Sequence, residues 1–408
     1  MLSQFYFSTS KKTIYELDRL TNFPETDEND PVPFTVILAF KLLKKLRFDD
    51  RLTKYTNRAD GIYKIRKTLQ DVVLKPPEGL WPNPTQDEQM KRVFFSSYGM
   101  FFLKKLPGFE AGYVADTTDL CKYEHRKGYE KYGCKTFFDE NGQIVKIQEK
   151  DNTTYFPGDE DWEWAKIKAR TSAFVKAAYI HLTQCHYIWA NIPGKAMRMF
   201  LPPSHPIRRT LTIHFYKTHY TCYQAKFILF DEKGLVLRGS SLKWKGGLQQ
   251  VYKDHLNAFQ LTRFTDEISA QGVEDCKLHV GANDGVELHK ILVDYVSELI
   301  DEVYPDRNAL DADAYMKKTY DYLAENMNGV PKAYTLENLK MVWGEVLFRV
   351  TGYHTSSKFK NSYCLLLIYH FDSISHGLFH FSLVSSWSSF CHGVRPIRHQ
   401  PSPATKRR

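Results

Sequence analysis

Two histidines five residues apart, His181 and His186, are the residues best suited by type and spacing to chemistry. Neutral imidazoles bind iron and other first-row transition metals. In a regular α-helix, five residues turn the chain by about 500°, which points the two side chains about 140° apart. A π-helical turn nearly eclipses positions five apart, and such turns concentrate at functional sites. The pair therefore predicts a metal site only if its helix is locally π-wound; a hydrogen-bonded pair in the core is the alternative.

The histidines lie in a long segment, residues 161–191, that predicts one helix ended by Pro193-Gly194. The middle of this segment is almost wholly apolar, which is typical of a helix at the centre of a large helical domain. Residues 137–147, just before it, predict two strands joined by a turn at Asp139-Glu140-Asn141-Gly142.

Two later segments, residues 288–303 and 336–350, repeat apolar side chains at three–four spacing and predict helices with one buried stripe each. Thr335 is placed to cap the second helix, and His354 continues its inward face. The predicted fold class is mainly α, with a small β element before the central helix.

The residues around the two histidines resemble the lipoxygenase family. The run HLTQCH at 181–186 is followed by LPPSHPI at 201–207 and LTIH at 211–214. In that family, two iron-binding histidines on a central helix are likewise followed by a His-Pro-Ile motif and a further histidine. The upstream run WAKIKARTSAF, starting at Trp164, is similar to the start of the same helix. The resemblance is close over residues 136–231 and patchier over 87–358.

This resemblance implies part of a lipoxygenase-like helical catalytic domain that holds one non-haem iron per chain. His181, His186 and His354 would be the iron ligands, whereas His205 and His214 match positions that are structural in the family. The implied substrates are a polyunsaturated fatty acid and molecular oxygen. Hydrogen would be abstracted from the methylene between two cis double bonds, and oxygen would add to give a conjugated hydroperoxide.

Two further residues acquire candidate roles through the same resemblance. Leu182 would line the fatty-acid channel, and Gly234 falls where the family carries a Gly or Ala that influences the face of oxygen attack. The alternatives are an ordinary core leucine and a turn glycine after Asp-Glu-Lys.

The chain departs from the family pattern after His354. The family carries Asn, His or Ser four residues after the third histidine, and this chain has Lys358, whose ammonium has no lone pair for a metal. The family also completes the iron shell with the carboxylate of a C-terminal isoleucine, whereas this chain ends in Lys406-Arg407-Arg408. The expected iron shell is therefore incomplete. Whether the chain is an enzyme stays open, and the alternative is a catalytically inactive, truncated lipoxygenase-like fragment with a lipid-binding or regulatory role.

Composition divides the chain into a segment 1–80 of helical and irregular character, an incomplete catalytic domain 81–358, and a divergent, basic, poorly ordered tail 359–408. The tail holds six Lys and Arg residues against one Asp, so it supplies most of the net charge of +9 and argues against a nucleic-acid partner. Its basic end, residues 395–408, leaves a weak membrane-surface contact open. Seven scattered cysteines and no clean run of 18 apolar residues favour a reduced, cytoplasmic protein. Cys121, His125 and Cys134 lack a fourth ligand at zinc-finger spacing.

Overall fold

The computed structural model of the chain describes residues 87–106, 112–127, 129–215, 218–232, 234–238 and 240–353. The predicted N-terminal segment, the basic tail, Lys358 and His354 lie outside these residues. The three-part domain division consequently stays a prediction.

Helices dominate the described chain, as predicted. The α-helices are α1 (Asp87–Ser96), α2 (Trp162–Ile180), α3 (Asn191–Phe200), α4 (Pro206–Leu211), α5 (Thr218–Ile228), α6 (Leu235–Arg238), α7 (Gln249–Asn257), α8 (Phe264–Gln271), α9 (Val286–Val303), α10 (Arg307–Ala312), α11 (Ala314–Asn326) and α12 (Leu336–Leu347). Short 3-10 helices cover Tyr98–Phe102, Thr118–Lys122 and Thr212–Phe215. Wider, π-type turns occur at His181–Ala190, Gly281–Gly285 and Phe348–Tyr353, whereas Trp244–Leu248 is a kinked segment with non-helical backbone at Lys245 and Gly246. Within the described residues, no helix is both long and apolar enough to cross a membrane.

One antiparallel sheet precedes the central helix. Its strands are β1 (Leu103–Lys105), β2 (Tyr113–Asp116), β3 (Lys135–Phe138), β4 (Ile144–Gln148) and β5 (Thr154–Tyr155), paired in chain order. The predicted hairpin is confirmed as β3–β4. The Asp139 carboxylate closes its turn by accepting the N–H groups of Asn141 and Gln143 at 2.9 and 2.7 Å. Gly142 supplies the positive φ of 78° that this turn requires.

The sheet packs one face onto α1. Phe138, which is fully buried, contacts the rings of Phe94 and Phe95 at centroid distances of 5.1 and 5.3 Å. Ile144 and Ile147 fill the same face from β4. This apolar layer fixes the sheet beside the start of α2, in which Ala165 and Ala169 belong to the same core.

The central rod runs without a break from Trp162 to Phe200, through α2, the turn at His181–Ala190 (hereafter the His181 π-helix) and α3. The predicted end at Pro193-Gly194 is therefore wrong, because both residues lie in the first turn of α3. Proline lacks the N–H that a helix interior needs, but it directly follows the π-wound turns, where the regular i to i−4 ladder is already interrupted. Gly194 has a packing role, since a Cβ there would lie 2.8 Å from Nε2 of His219.

The two later helices are confirmed as α9 and α12, which pack against each other. Thr335 caps α12 as expected, since its hydroxyl accepts the N–H of Asn338 at 3.1 Å. The buried stripe of α9 is narrower than predicted: Leu292, Val296 and Ile300 are buried, whereas Ile291 and Tyr295 are 52% and 43% exposed. A three–four repeat defines a broad apolar face, and only part of this one is buried.

A buried ionic network joins α8, α9 and α12. Glu345 of α12 accepts a hydrogen bond from the Phe264 N–H and lies 2.6 Å from Nε2 of His289. Arg349, one turn further, approaches Glu345 at 4.0 Å and Glu267 at 2.7 Å. Because Arg349 also lies over the Trp189 ring, the network connects the end of α12 to the His181 π-helix.

Candidate metal centre

The structure brings the two histidines of the central rod together. The turns from His181 to Ala190 are π-wound, which is the winding that brings side chains five residues apart onto the same side of a helix. Nε2 of His181 and Nε2 of His186 lie 3.1 Å apart, and the ring planes cross at 80° with centroids 4.8 Å apart. His186 is buried and His181 is half-buried. The two Nε2 atoms thus face each other at the edge of the core.

This separation fits a shared metal ion. Two metal–imidazole bonds of about 2.1 Å at a right angle place their nitrogens about 3.0 Å apart. Neutral nitrogen donors suit ferrous, ferric and manganous ions. The same distance also fits a hydrogen bond in which one ring donates its Nε2–H to the other. The 3.1 Å separation is therefore compatible with two arrangements, a shared metal ion or a hydrogen bond between the two rings.

Helix α5 packs against the central rod through four polar contacts that the sequence did not reveal. Cys222 places its sulfur 3.9 Å from Nδ1 of His186 and 3.6 Å from the His186 carbonyl oxygen. Tyr187 donates its hydroxyl to the Cys222 carbonyl at 3.2 Å. His219 places Nε2 3.3 Å from the Asn191 carbonyl oxygen. No local spacing could have identified these partners, which lie 28 to 36 residues apart.

The residues that lead to His354 lie against the same rod. Helix α12 continues into the turn Phe348–Tyr353 (hereafter the Phe348 π-helix), which contacts the His181 π-helix and the 3-10 helix that carries His214. Thr351 of this turn lies 2.9 Å from Nδ1 of His214. Burial lowers the pKa of His214 to about 4, so its ring is neutral at pH 7 and links two elements by hydrogen bonding. His354 itself lies outside the described residues, and its role as a ligand stays a prediction.

Leu182 and the segment around Gly234 meet in one apolar cluster. Leu182 packs there with Leu229, Phe230 and Leu237, which flank the glycine. The Gly234 N–H donates to the Asp231 carbonyl at 2.7 Å, and a Cβ at this position would overlap the Leu229 carbonyl. The turn therefore requires glycine for steric reasons. The channel and oxygen-facing roles of these two residues stay predictions.

His205 belongs to a separate buried cluster. Its Nε2 lies 2.8 Å from the Asp313 carboxylate, which also accepts the Tyr304 hydroxyl at 2.7 Å and caps α11. These bonds tie the start of α4 to α11. The arrangement agrees with a structural rather than a metal-binding role for this histidine.

The cysteines and histidine that might have suggested zinc are engaged elsewhere. Both ring nitrogens of His125 bond to the backbone, to the Tyr123 carbonyl at 2.8 Å and the Tyr132 N–H at 3.1 Å. Cys121 donates to the Tyr132 carbonyl. Across the part of the chain that is described, no group of three or more His, Cys, Asp or Glu side chains could hold a metal ion.

Comparison with known proteins connects this arrangement to one family. The chain is 25% identical over 226 residues to the polyunsaturated fatty acid lipoxygenase ALOX8 of Mus musculus, a region that covers 52% of this chain and 33% of that protein. It is 26% identical over 183 residues to the hydroperoxide isomerase ALOXE3 of Homo sapiens, covering 43% of this chain and 25% of that protein. The match to these curated relatives thus spans a third of their length or less. No protein-family profile matches the chain.

Solved structures agree on the fold. The coral 8R-lipoxygenase superposes with a TM-score of 0.65 at 14% identity, over 88% of this chain and 65% of that chain. The manganese lipoxygenase of Gaeumannomyces graminis superposes with a TM-score of 0.54 at 16% identity, over 82% of this chain and 67% of that chain. The mainly helical architecture, with its small sheet before the central rod, is the fold of the solved lipoxygenase structures, and about half of the chain is similar in sequence to curated lipoxygenases.

Proposed function

We propose that this protein binds one non-haem iron ion and dioxygenates polyunsaturated fatty acids. The observation that carries the proposal is the convergence of Nε2 of His181 and Nε2 of His186, 3.1 Å apart on a π-wound rod. The mouse relative is named a polyunsaturated fatty acid lipoxygenase, and the two structural neighbours are lipoxygenases, which supports this proposal. Manganese is the alternative metal, because one structural neighbour is a manganese lipoxygenase.

The third ligand in this proposal is His354. It directly follows the Phe348 π-helix, which contacts the His181 π-helix and is linked to His214 through Thr351. The contacts of Arg349 and the hydrogen bond between Thr351 and His214 hold the Phe348 π-helix against the His181 π-helix. A third imidazole arriving there would complete a set of three neutral donors, which suits iron.

The proposal assigns metal binding and substrate contact to different residues. His181 and His186 hold the metal, which supplies the one-electron redox chemistry when bound. Leu182, which directly follows His181 in the sequence, contributes an apolar side chain beside the metal ligands, where it would contact the fatty-acid chain. In the overall reaction, the methylene between two double bonds loses hydrogen, molecular oxygen adds to one end of the pentadienyl system, and the hydrogen returns to give a conjugated hydroperoxide.

The alternative is a catalytically inactive lipoxygenase relative that binds lipid or regulates another protein. Lys358 favours it, because a lysine stands where the family carries a metal-binding or polar side chain. Under both proposals the protein is located in the cytoplasm.

Metal analysis combined with an oxygenation assay separates the two. The purified full chain is analysed for iron and manganese and then incubated with linoleate or arachidonate, while oxygen uptake and conjugated-diene absorbance are followed. We expect about one metal ion per chain, diene formation, and loss of both in His181→Ala and His186→Ala. His255→Gln, at a half-buried histidine of α7 outside the site, is the matched control. A metal-free chain that binds fatty acid without oxygen uptake would support the alternative, and a chain that neither binds metal nor oxygenates would refute the proposal.

A further inference from the structure

Cys222 contacts His186 on the side of the ring that faces away from His181. Its sulfur lies 3.9 Å from Nδ1 of His186, whereas Nε2 of that ring faces Nε2 of His181. An ion held by the two Nε2 atoms would therefore have the His186 ring between itself and the sulfur. The thiol is buried at 1% exposure. It is thus placed to act on the histidine and not on the metal.

An imidazole that binds a metal through Nε2 carries its proton on Nδ1, and this N–H needs an acceptor when the ring is buried. A thiol is both a weak acceptor and a weak donor. Here the sulfur faces Nδ1 while the S–H reaches the His186 carbonyl oxygen at 3.6 Å. We propose that Cys222 is a positioning residue that accepts the Nδ1–H of His186, selects the tautomer with a free Nε2 lone pair, and fixes the ring for metal binding.

Two hydrogen bonds between α5 and the central rod hold the Cys222 sulfur in place. Tyr187, the residue after His186, donates to the Cys222 carbonyl at 3.2 Å. One turn earlier on α5, His219 reaches the Asn191 carbonyl at the end of the His181 π-helix. Gly194 allows that approach, because a Cβ there would lie 2.8 Å from the His219 ring. These contacts keep α5 in register with the π-helix, and hence keep the sulfur opposite Nδ1.

In the metal-free protein, the same contact determines which tautomer each of the two histidines adopts. Only one of the two Nε2 atoms that face each other at 3.1 Å can carry a proton in a hydrogen bond between neutral rings. If Cys222 accepts the Nδ1–H of His186, then Nε2 of His186 is the acceptor and His181 donates its Nε2–H. His181 and His186 are therefore opposite tautomers, which is directly measurable.

The first arm of the test needs no metal. The full chain, labelled with ¹⁵N-histidine and treated with chelator, is examined by long-range ¹H–¹⁵N correlation, with assignment through His181→Gln and His186→Gln. We expect His186 as the Nδ1–H tautomer, and a shift of its population toward Nε2–H in Cys222→Val. Cys185→Val is the matched control, because Cys185 is a buried thiol adjacent to His186 in sequence. If Cys222→Val does not fold, Cys222→Ala takes its place. An unchanged His186 tautomer in the Cys222 variant, or an equal change in the Cys185 variant, overturns the proposal.

The second arm rests on the proposed function and measures metal binding. The same variants are titrated with Co²⁺, whose visible absorption reports the ligand field. Removing an outer partner of a ligating histidine weakens metal affinity by about 10- to 100-fold, and we expect that loss and an altered Co²⁺ spectrum for Cys222→Val alone. Equal affinity and spectrum in Cys222→Val and the parental chain would contradict the positioning role. A parental chain that binds no Co²⁺ would contradict the proposed function, and the tautomer measurement would still decide the role of Cys222.

Discussion

Gly194→Ala is the substitution that most directly tests how α5 is docked beside the histidines. The added Cβ would lie 2.8 Å from Nε2 and 3.2 Å from Cε1 of His219, and 3.2 Å from a ring carbon of Phe215. His219 is 2% exposed and Phe215 is 1% exposed, so neither ring has room to move away. The close approach of α5 to the rod therefore depends on the missing side chain.

Opposing effects determine how much Gly194→Ala changes the free energy of unfolding. Alanine is favoured over glycine in a helix by about 0.8–1.0 kcal/mol. Overpacking a buried contact costs about 1–3 kcal/mol, and losing the His219–Asn191 hydrogen bond costs about 1 kcal/mol more. We expect a net loss of about 1–3 kcal/mol in the free energy of unfolding. In a folded unit of this size each kcal/mol lowers the melting temperature by about 2–4 °C.

A double-mutant cycle with His219→Ala isolates the cause. Thermal and urea denaturation are measured for the parental chain, Gly194→Ala, His219→Ala and the double variant. Without the imidazole the clash is relieved, so Gly194→Ala should become neutral or stabilising by up to about 1 kcal/mol, which gives a coupling energy of about 2 kcal/mol. An equal cost of Gly194→Ala in both backgrounds would refute the reasoning.

Three further predictions concern stability. Burial lowers the pKa of His214 to about 4 and that of His219 to about 3. Below about pH 6.5 the unfolded chain therefore binds more protons than the folded chain, and the melting temperature of the chelator-treated chain should fall steadily from pH 7 to pH 4.5. A melting temperature that does not change over this range would contradict the burial of these rings. Glu345→Gln removes the fully buried carboxylate of the network and should cost about 3–5 kcal/mol in urea denaturation, whereas Glu267→Gln should cost less, because the Glu267 side chain is 40% exposed and Arg349 keeps Glu345 nearby; equal costs would show that burial of the carboxylate is not the cause. Thr335→Ala removes the cap of α12 and should cost about 1 kcal/mol, and Thr335→Ser should restore most of it; a Ser variant as unstable as the Ala variant would argue against the cap.

The local features of the fold were readable from the sequence. The β3–β4 hairpin, the α9 and α12 helices and the Thr335 cap each depend on residues within a few positions of one another. The five-residue spacing of His181 and His186 likewise contains a geometric condition, namely a π-wound turn, that can be stated without coordinates. Such patterns are legible because backbone hydrogen bonding and side-chain periodicity act over one or two turns.

Only the tertiary structure decided which distant residues meet. Cys222 reaches His186 across 36 residues and Glu345 meets His289 across 56, and neither pair has a sequence spacing that marks it. Gly194 was expected to end a helix, but its missing side chain instead admits the ring of His219. Ile291 and Tyr295 share the periodicity of their buried neighbours and still face solvent, because α12 covers only part of that face. Periodicity states which faces are apolar, whereas the direction in which whole helices pack determines which of those faces are covered and which polar groups find partners.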